Sequence, residues 1–189
     1  MIAIDKLCKA FGGKAVLQDF SCELEEGRVT ALMAPSGAGK TTLLRILLGL
    51  ETADSGKITG LSGKRLAAVF QEDRLLDFMT PVDNIRLPEP KLERPVILRE
   101  MAAMGLTGCE NQPVRELSGG MRRRVSIGRA VCFGAGLLLL DEPFNGLDDA
   151  TRQQTADYIL RHRGGAAILC VTHDREDAAA LGGAELMAF

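Results

Sequence analysis

A broad basic field is missing from this sequence: the formal net charge of the 189-residue chain is only −2, which argues against a nucleic-acid binder that works through surface charge. The one basic cluster, Arg122-Arg123-Arg124, is local. Long hydrophobic runs are missing too. "GAGLLLL" ends on Asp141, far short of the ~18 apolar residues that a membrane span needs. Asp5, Lys6 and Lys9 interrupt the N-terminus before a signal-peptide core could form. The five cysteines, Cys8, Cys22, Cys109, Cys132 and Cys170, are never spaced C-x-x-C. That pattern disfavours a disulfide framework or a thiolate metal site and fits reduced, buried thiols. No internal repeat, low-complexity tract or linker is visible. With 46% hydrophobic and 25% charged residues, the chain reads as one globular domain able to bury roughly 70% of its unfolded surface.

Periodicity then orders the elements. "IAIDKL" and "AVLQDFSCELE" alternate as strands, "EEG" at 25–27 is a turn, and "RVTALMA" turns apolar. Thr41 to Leu50 is expected to be helical, with Leu43, Leu44, Leu47 and Leu48 on one face. "SGKITG" and "RLAAVFQ" read as two further strands. From Glu72 to Glu116 prolines punctuate the chain, and only "PVILREMAAMGL" has clear helical character, which suggests a small inserted subdomain. Ser118 opens a helix, "GLLLLDEP" is a buried strand, Thr151 to His162 is helical, "AAILCVTH" is a buried strand, "DREDAAAL" a helix and "AELMAF" a final strand. Strands alternating with helices predict a mostly parallel, doubly wound α/β sheet.

"APSGAGKT", residues 34–41, has the form of a phosphate-binding loop ahead of a helix. Such a loop curls backbone N–H groups around phosphate oxygens at a helix N-terminus. Gly37 and Gly39 supply close approach, Lys40 a point charge for the terminal phosphates, and Thr41 a hydroxyl able to ligate Mg²⁺. Ala34 stands where the pattern has its first glycine. Because position 34 follows "VTALM" directly, an extended backbone with φ < 0 is expected there, and at such a position a methyl group costs little. "LLLLDEP" places Asp141 and Glu142 at the carboxyl edge of a strand, where open α/β sheets bind ligands. Asp141 suits a Mg²⁺ role, and Glu142 suits a general base on attacking water. In "LSGGM", Ser118, Gly119 and Gly120 precede a helix and present a second anion cradle. One nucleotide cannot easily use two cradles of one chain, so a second subunit is expected to contribute one of them.

From Phe11 to His173 the chain resembles the nucleotide-binding subunit of ATP-binding cassette (ABC) transporters, with the motifs in that family's order. Lys40 and Thr41 match its Walker A loop, Gln71 in "VFQED" its Q-loop, and Ser118 to Gly120 its signature. Asp141 and Glu142 match Walker B, Asp148 in "NGLD" the D-loop, and His173 in "VTHD" the switch histidine. Phe11, before Gly12-Gly13, matches the aromatic that stacks on adenine. The resemblance implies the P-loop NTPase fold, with a mostly parallel sheet core, N-terminal antiparallel strands and an inserted α-helical subdomain. Residues 1–71 and 117–189 would form the catalytic core of a single 1–189 domain, with about 72–116 as the helical subdomain. Ala34, Met121 in place of a glutamine, Phe11 in place of a tyrosine and the Asn-Gly of "NGLD" depart from the pattern. None of these changes removes a charge or ligand that hydrolysis needs.

The resemblance implies a composite ATP and Mg²⁺ site. Glu142, His173, Lys40 and Gln71 would carry the chemistry, and Thr41, Gln71 and Asp141 the metal. The nucleotide would meet Phe11, Val16, the loop Ala34, Pro35, Ser36, Gly37, Ala38, Gly39, Lys40, Thr41 and Thr42, and Asp148. Ser118, Gly119 and Gly120 would come from the other protomer of a homodimer. Alone, His173 also reads as a satisfied strand-end histidine, and His162 reads as a solvated helix end. Arg122–Arg124 reads as a solvated face of the signature helix in preference to a positive contribution near the partner's phosphates. Leu75, Leu76, Phe78 and Met79 are expected to be exposed where the family receives a permease helix, and subdomain core is the competing reading. "RLLDFMTPVDNIRL" is similar to the stretch in importers of nitrate, sulfonates and taurine. With 16 residues after His173, no regulatory C-terminal domain is expected. The expected function is ATP hydrolysis on the cytoplasmic face of the membrane, driving import through separate permease subunits, with a solute-binding protein reached indirectly and no nucleic acid. A soluble, non-transport ABC ATPase and a regulatory module with little hydrolysis are the alternatives.

Overall fold

The computed structural model describes residues 1–33 and 37–187. Its strands are β1 (Ile2–Phe11), β2 (Lys14–Leu24), β3 (Val29–Met33), β4 (Ser55–Thr59), β5 (Leu66–Val69), β6 (Leu137–Asp141), β7 (Ala167–Thr172) and β8 (Ala184–Met187). The helices are α1 (Lys40–Leu47), α2 (Pro81–Arg86), α3 (Arg94–Ala103), α4 (Gly119–Cys132), α5 (Asp149–His162) and α6 (Arg175–Ala180). Strands β5-β6-β7-β3-β8 form a parallel sheet, and β2-β1-β4 form a separate antiparallel one. This is the α/β architecture that the alternation of strands and helices predicts.

Both faces of the parallel sheet are covered, and the pleat of its central strands explains how. Leu137 and Leu139 of β6, with Leu169 and Val171 of β7, face a core shared with α1 and the antiparallel sheet, including Ile4, Leu17, Leu43, Leu44 and Leu47. Leu138 and Leu140, with Ile168 and Cys170, face the opposite core of Val82, Ile97, Met101, Val125, Ile127 and Ile159 from α2 to α5. A strand buried on both sides reads as a continuous apolar run, which is why "LLLL" carries no alternation. The helices of the Glu72–Glu116 region therefore share a core with the sheet instead of having one of their own.

Helix boundaries follow local chemistry. Helix α1 ends at Leu47, earlier than the Leu50 expected from periodicity, because Gly49 takes φ +70 and Leu50 N–H bonds back to Arg45 O at 2.8 Å. That is a glycine-terminated cap. Helix α2 was not expected as a helix. It is only six residues long, and its periodicity is broken by Asn84, which is fully buried. Thr80 caps it by accepting from Asp83 N–H at 3.1 Å, with Pro81 in the first turn. Asn84 also bonds both backbone groups of Leu76, accepting from its N–H at 2.8 Å and donating to its carbonyl at 3.1 Å. Those bonds hold the loop in which Leu75 is buried while Leu76 and Phe78 are 45% and 80% exposed. Met79 is half-buried, so only part of the expected exposed stretch faces outward.

Two other expectations are refined. His162 is, as expected, the exposed last residue of α5, but its ring also stacks on Tyr158 with centroids 4.6 Å apart, and Nδ1 lies 2.8 Å from Glu100. Buried Tyr158 donates to the same Glu100 oxygen at 2.9 Å, so this carboxylate ties α3 to α5. All five cysteines are free, but only Cys109 and Cys170 are buried, and Cys8, Cys22 and Cys132 are half-buried. Glu100→Ala leaves the buried Tyr158 hydroxyl only the weak contact with Cys132 Sγ at 3.8 Å and is expected to cost about 1–3 kcal/mol of stability in urea unfolding. An unchanged midpoint would mean that the brace contributes nothing. Among the described residues no helix is long and apolar enough to cross a membrane.

Candidate functional site

The site is built on the carboxyl edge of β3, β6 and β7. Gly39 caps α1 in a left-handed conformation, φ +87, and Lys40 begins the helix almost fully buried. A cavity of about 230 Å³ is lined by Val16, Gly37, Gly39, Lys40, Thr41, Thr42, Gln71, Asp141 and Glu142. Every one of these was singled out from the sequence. The larger hollow of about 510 Å³ near Glu23 and Arg163 contains none of the expected site residues.

Asp141 ends β6, and its carboxylate accepts from the Thr41 hydroxyl at 2.9 Å, bridging strand and helix. Burial pushes the Asp141 carboxyl above its ordinary range, while the Thr41 hydrogen bond pulls it back. Hydroxyl, carboxylate and the neighbouring Gln71 amide are hard oxygen donors. This set suits Mg²⁺, which is commonly held by one or two carboxylates together with substrate phosphates.

Glu142 follows in an uncommon backbone state, φ +48. For a residue with a side chain that conformation costs on the order of 1–2 kcal/mol, and it is held by bonds on both sides of the residue. Its N–H donates to Val171 O at 2.8 Å, and its carbonyl accepts from Arg123 Nη2 at 2.6 Å. The side chain turns toward the cavity, with Oε1 2.9 Å from His173 Nδ1 and 4.0 Å from Lys40 Nζ. With Glu142 ionised, Nδ1 of His173 carries the proton, which leaves Nε2 as the group facing outward on a side chain 62% exposed. The turn that presents His173 is pinned by Thr172, whose hydroxyl donates to Asp177 at 2.9 Å and accepts from Asp174 N–H at 3.0 Å.

Other expected residues lie outside the cavity lining. Phe11 ends β1, 48% exposed, with Lys9 Nζ 4.9 Å from its ring. Ser118 caps the 14-residue α4 by accepting from Met121 N–H at 3.3 Å; Ser118 and Gly119 are exposed and Gly120 half-exposed. Asp148 caps α5, accepting from Thr151 N–H at 2.9 Å. Ala34, Pro35 and Ser36 lie outside the described residues, as does the expected φ < 0 at position 34.

The arginine run overturns its sequence reading. Arg123 is 3% exposed and donates to the carbonyls of Phe70, Asp141, Glu142 and Pro143. Arg122 and Arg124 are half-buried, bonding Asp77 at 2.8 Å and Met104 O at 2.8 Å. A helical signal for Arg123 did exist: spacing puts it on the stripe of Ile127 and Ala130, both of which are buried.

The description "ABC transporter" belongs to the family model that matches residues 17–145. The aliphatic sulfonates import ATP-binding protein SsuB 2 of Pseudomonas syringae pv. tomato is 39% identical over 180 residues, 94% of this chain and 76% of that protein. The taurine import ATP-binding protein TauB of Escherichia coli O157:H7 is 38% identical over 193 residues, 94% of this chain and 75% of that protein. Among solved structures, a dimeric bacterial ABC transporter cassette superposes with a TM-score of 0.84 at 25% identity, covering 95% of this chain and 91% of that one. A nucleotide-free ATP-binding cassette from an ABC transporter gives 0.81 at 22% identity, covering 95% of this chain and 83% of that one, a likeness of fold. With a motor-like cluster at one sheet edge and relatives of this identity along nearly its whole length, the chain belongs to the ABC transporter family.

Proposed function

We propose that the chain is the ATP-hydrolysing subunit of an importer, working as a homodimer on the cytoplasmic side of the membrane beneath separate permease subunits. The names of its relatives point to sulfonates as the solute class. Residues 1–71 and 117–189 would act as the catalytic core, and about 72–116 as the helical subdomain through which the permease is moved. The observation that carries this reading is the Glu142–His173 pair, 2.9 Å apart, in one site with Lys40, Thr41 and Asp141.

The chemistry follows from what each side chain can do. Backbone N–H groups of the loop and the N-terminus of α1 cradle the phosphates, and Lys40 places a fixed charge against the terminal one. Phe11 offers its ring face to the base. Thr41 and Asp141, with Gln71 beside them, would hold a Mg²⁺ ion, whose contribution is to neutralise charge on the phosphate oxygens. Glu142 accepts a proton from the attacking water, and His173 holds that carboxylate in place through its Nδ1–H; only as the imidazolium, with N–H donors at both Nδ1 and Nε2, would it also donate to the γ-phosphate. Ser118, Gly119 and Gly120 at the N-terminus of α4 would donate to the partner protomer's nucleotide, so closure of the dimer completes each site.

Phosphate release by the purified chain tests the proposal, measured across a range of protein concentrations. Turnover that requires Mg²⁺ and rises more steeply than linearly with protein concentration is expected. No turnover, either alone or with its permease in vesicles, would overturn it.

A further inference from the structure

The geometry points to Arg123 as a positioning residue for hydrolysis: one buried guanidinium holds the backbone of the Gln71 loop and that of the Asp141–Pro143 turn in fixed relation. The inference rests on the hydrolytic reading above and assigns a role to a residue outside the recognised motifs.

The hydrogen bonds divide into two groups. On one side Arg123 Nη2 donates to Asp141 O at 2.8 Å and to Glu142 O at 2.6 Å, and Nε donates to Pro143 O at 2.8 Å. On the other, Nη1 reaches the Phe70 carbonyl, Gln71 O at 3.4 Å and Asp73 Oδ1 at 3.3 Å. A guanidinium has five donors in a rigid plane, and every one finds an acceptor here. Such a fork specifies the angle between the two segments as well as their separation. Asp73, Asp141 and Glu142 face the guanidinium and offset its charge, while burial opposes the charged form.

The consequence falls on Glu142. Its φ of +48 is a conformation that L-residues leave unless their surroundings hold them. Two bonds anchor it to neighbouring elements: the N–H to β7 through Val171 O, and the carbonyl to α4 through Arg123. Releasing the second lets the residue relax and swings the carboxylate away from His173 and Lys40. The lining of the phosphate cradle on α1 receives nothing from Arg123, whose contacts in the cavity lining are with the backbone of Gln71, Asp141 and Glu142, so affinity for ATP without Mg²⁺ and catalysis should separate. Arg123 also lies at the start of the second turn of α4, the helix that Ser118 caps. The same guanidinium thus sets where the signature end of α4 stands relative to its own protomer's Glu142.

The test compares wild type with Arg123→Lys, which keeps the charge but not the fork, and with Arg123→Gln. Phosphate release gives kcat and KM, calorimetry without Mg²⁺ gives the ATP Kd, and thermal unfolding reports integrity. For folded Arg123→Lys we expect kcat to fall at least tenfold while Kd stays within about threefold of wild type, since the loss is one of orientation. A kcat within twofold of wild type overturns the inference. So does a parallel loss of kcat and ATP affinity, or failure of both variants to fold, since each makes Arg123 a structural residue only. If wild type itself releases no phosphate, it is the hydrolytic reading that fails, and the inference falls with it.

Discussion

Glu142→Gln hydrolyses ATP roughly 10²–10⁴-fold more slowly than wild type, the usual contribution of a positioned base, while ATP still binds. The substitution keeps the shape of the side chain and leaves both backbone anchors, to Val171 O and from Arg123, intact. His173 Nδ1–H can still donate to the amide oxygen. What disappears is the ability to take a proton from water. A negative charge 4.0 Å from Lys40 Nζ disappears as well, so Lys40 meets the terminal phosphate with less competition and affinity should hold or tighten. Single-turnover phosphate release and calorimetry separate the two effects. Unaltered turnover would remove Glu142 from the mechanism.

Gly39→Ala abolishes tight ATP binding, lowering affinity at least tenfold, or about 1.4 kcal/mol. Two independent penalties act at this position. The backbone there sits at φ +87, which costs a residue with a side chain about 1–2 kcal/mol. An added Cβ would also lie 2.5 Å from Val16 O and 2.9 Å from Val16 Cγ1, so the loop must shift away from β2. Gly37 shares the positive φ, +84, but a Cβ there meets nothing within 4 Å. Gly37→Ala should therefore show only the strain penalty and bind ATP more tightly than Gly39→Ala. Equal losses at the two positions would mean that the contact with Val16 is unimportant.

Much of this was legible from periodicity and spacing. The alternation of apolar strands with amphipathic helices leads directly to a parallel sheet, and Gly37, Gly39, Lys40, Thr41, Thr42, Gln71, Asp141 and Glu142 meet in one cavity because strand ends and the first turn of α1 share an edge. Other features were hidden for identifiable reasons. Helix α2 is too short for periodicity, and its buried Asn84 reads as a polar interruption. Arg123 carries a charge that suggests solvent, although its place on the stripe of Ile127 and Ala130 argued for burial. The left-handed backbone of Glu142 has no sequence signal, because nothing local favours it; Val171 and Arg123 impose it from distant parts of the chain. His162 found a partner in Glu100, 62 residues earlier in the chain, a contact that only tertiary packing creates.

The central claim is that two copies of this chain close on nucleotide, each completing the other's site with Ser118 to Gly120. The most direct test is the light-scattering mass of Glu142→Gln with and without Mg-ATP. A shift from about 20.3 kDa to twice that mass on adding Mg-ATP, reversed by removing Mg²⁺, is the predicted result. A variant that binds ATP by calorimetry yet keeps the mass of a monomer at every protein concentration would contradict the account.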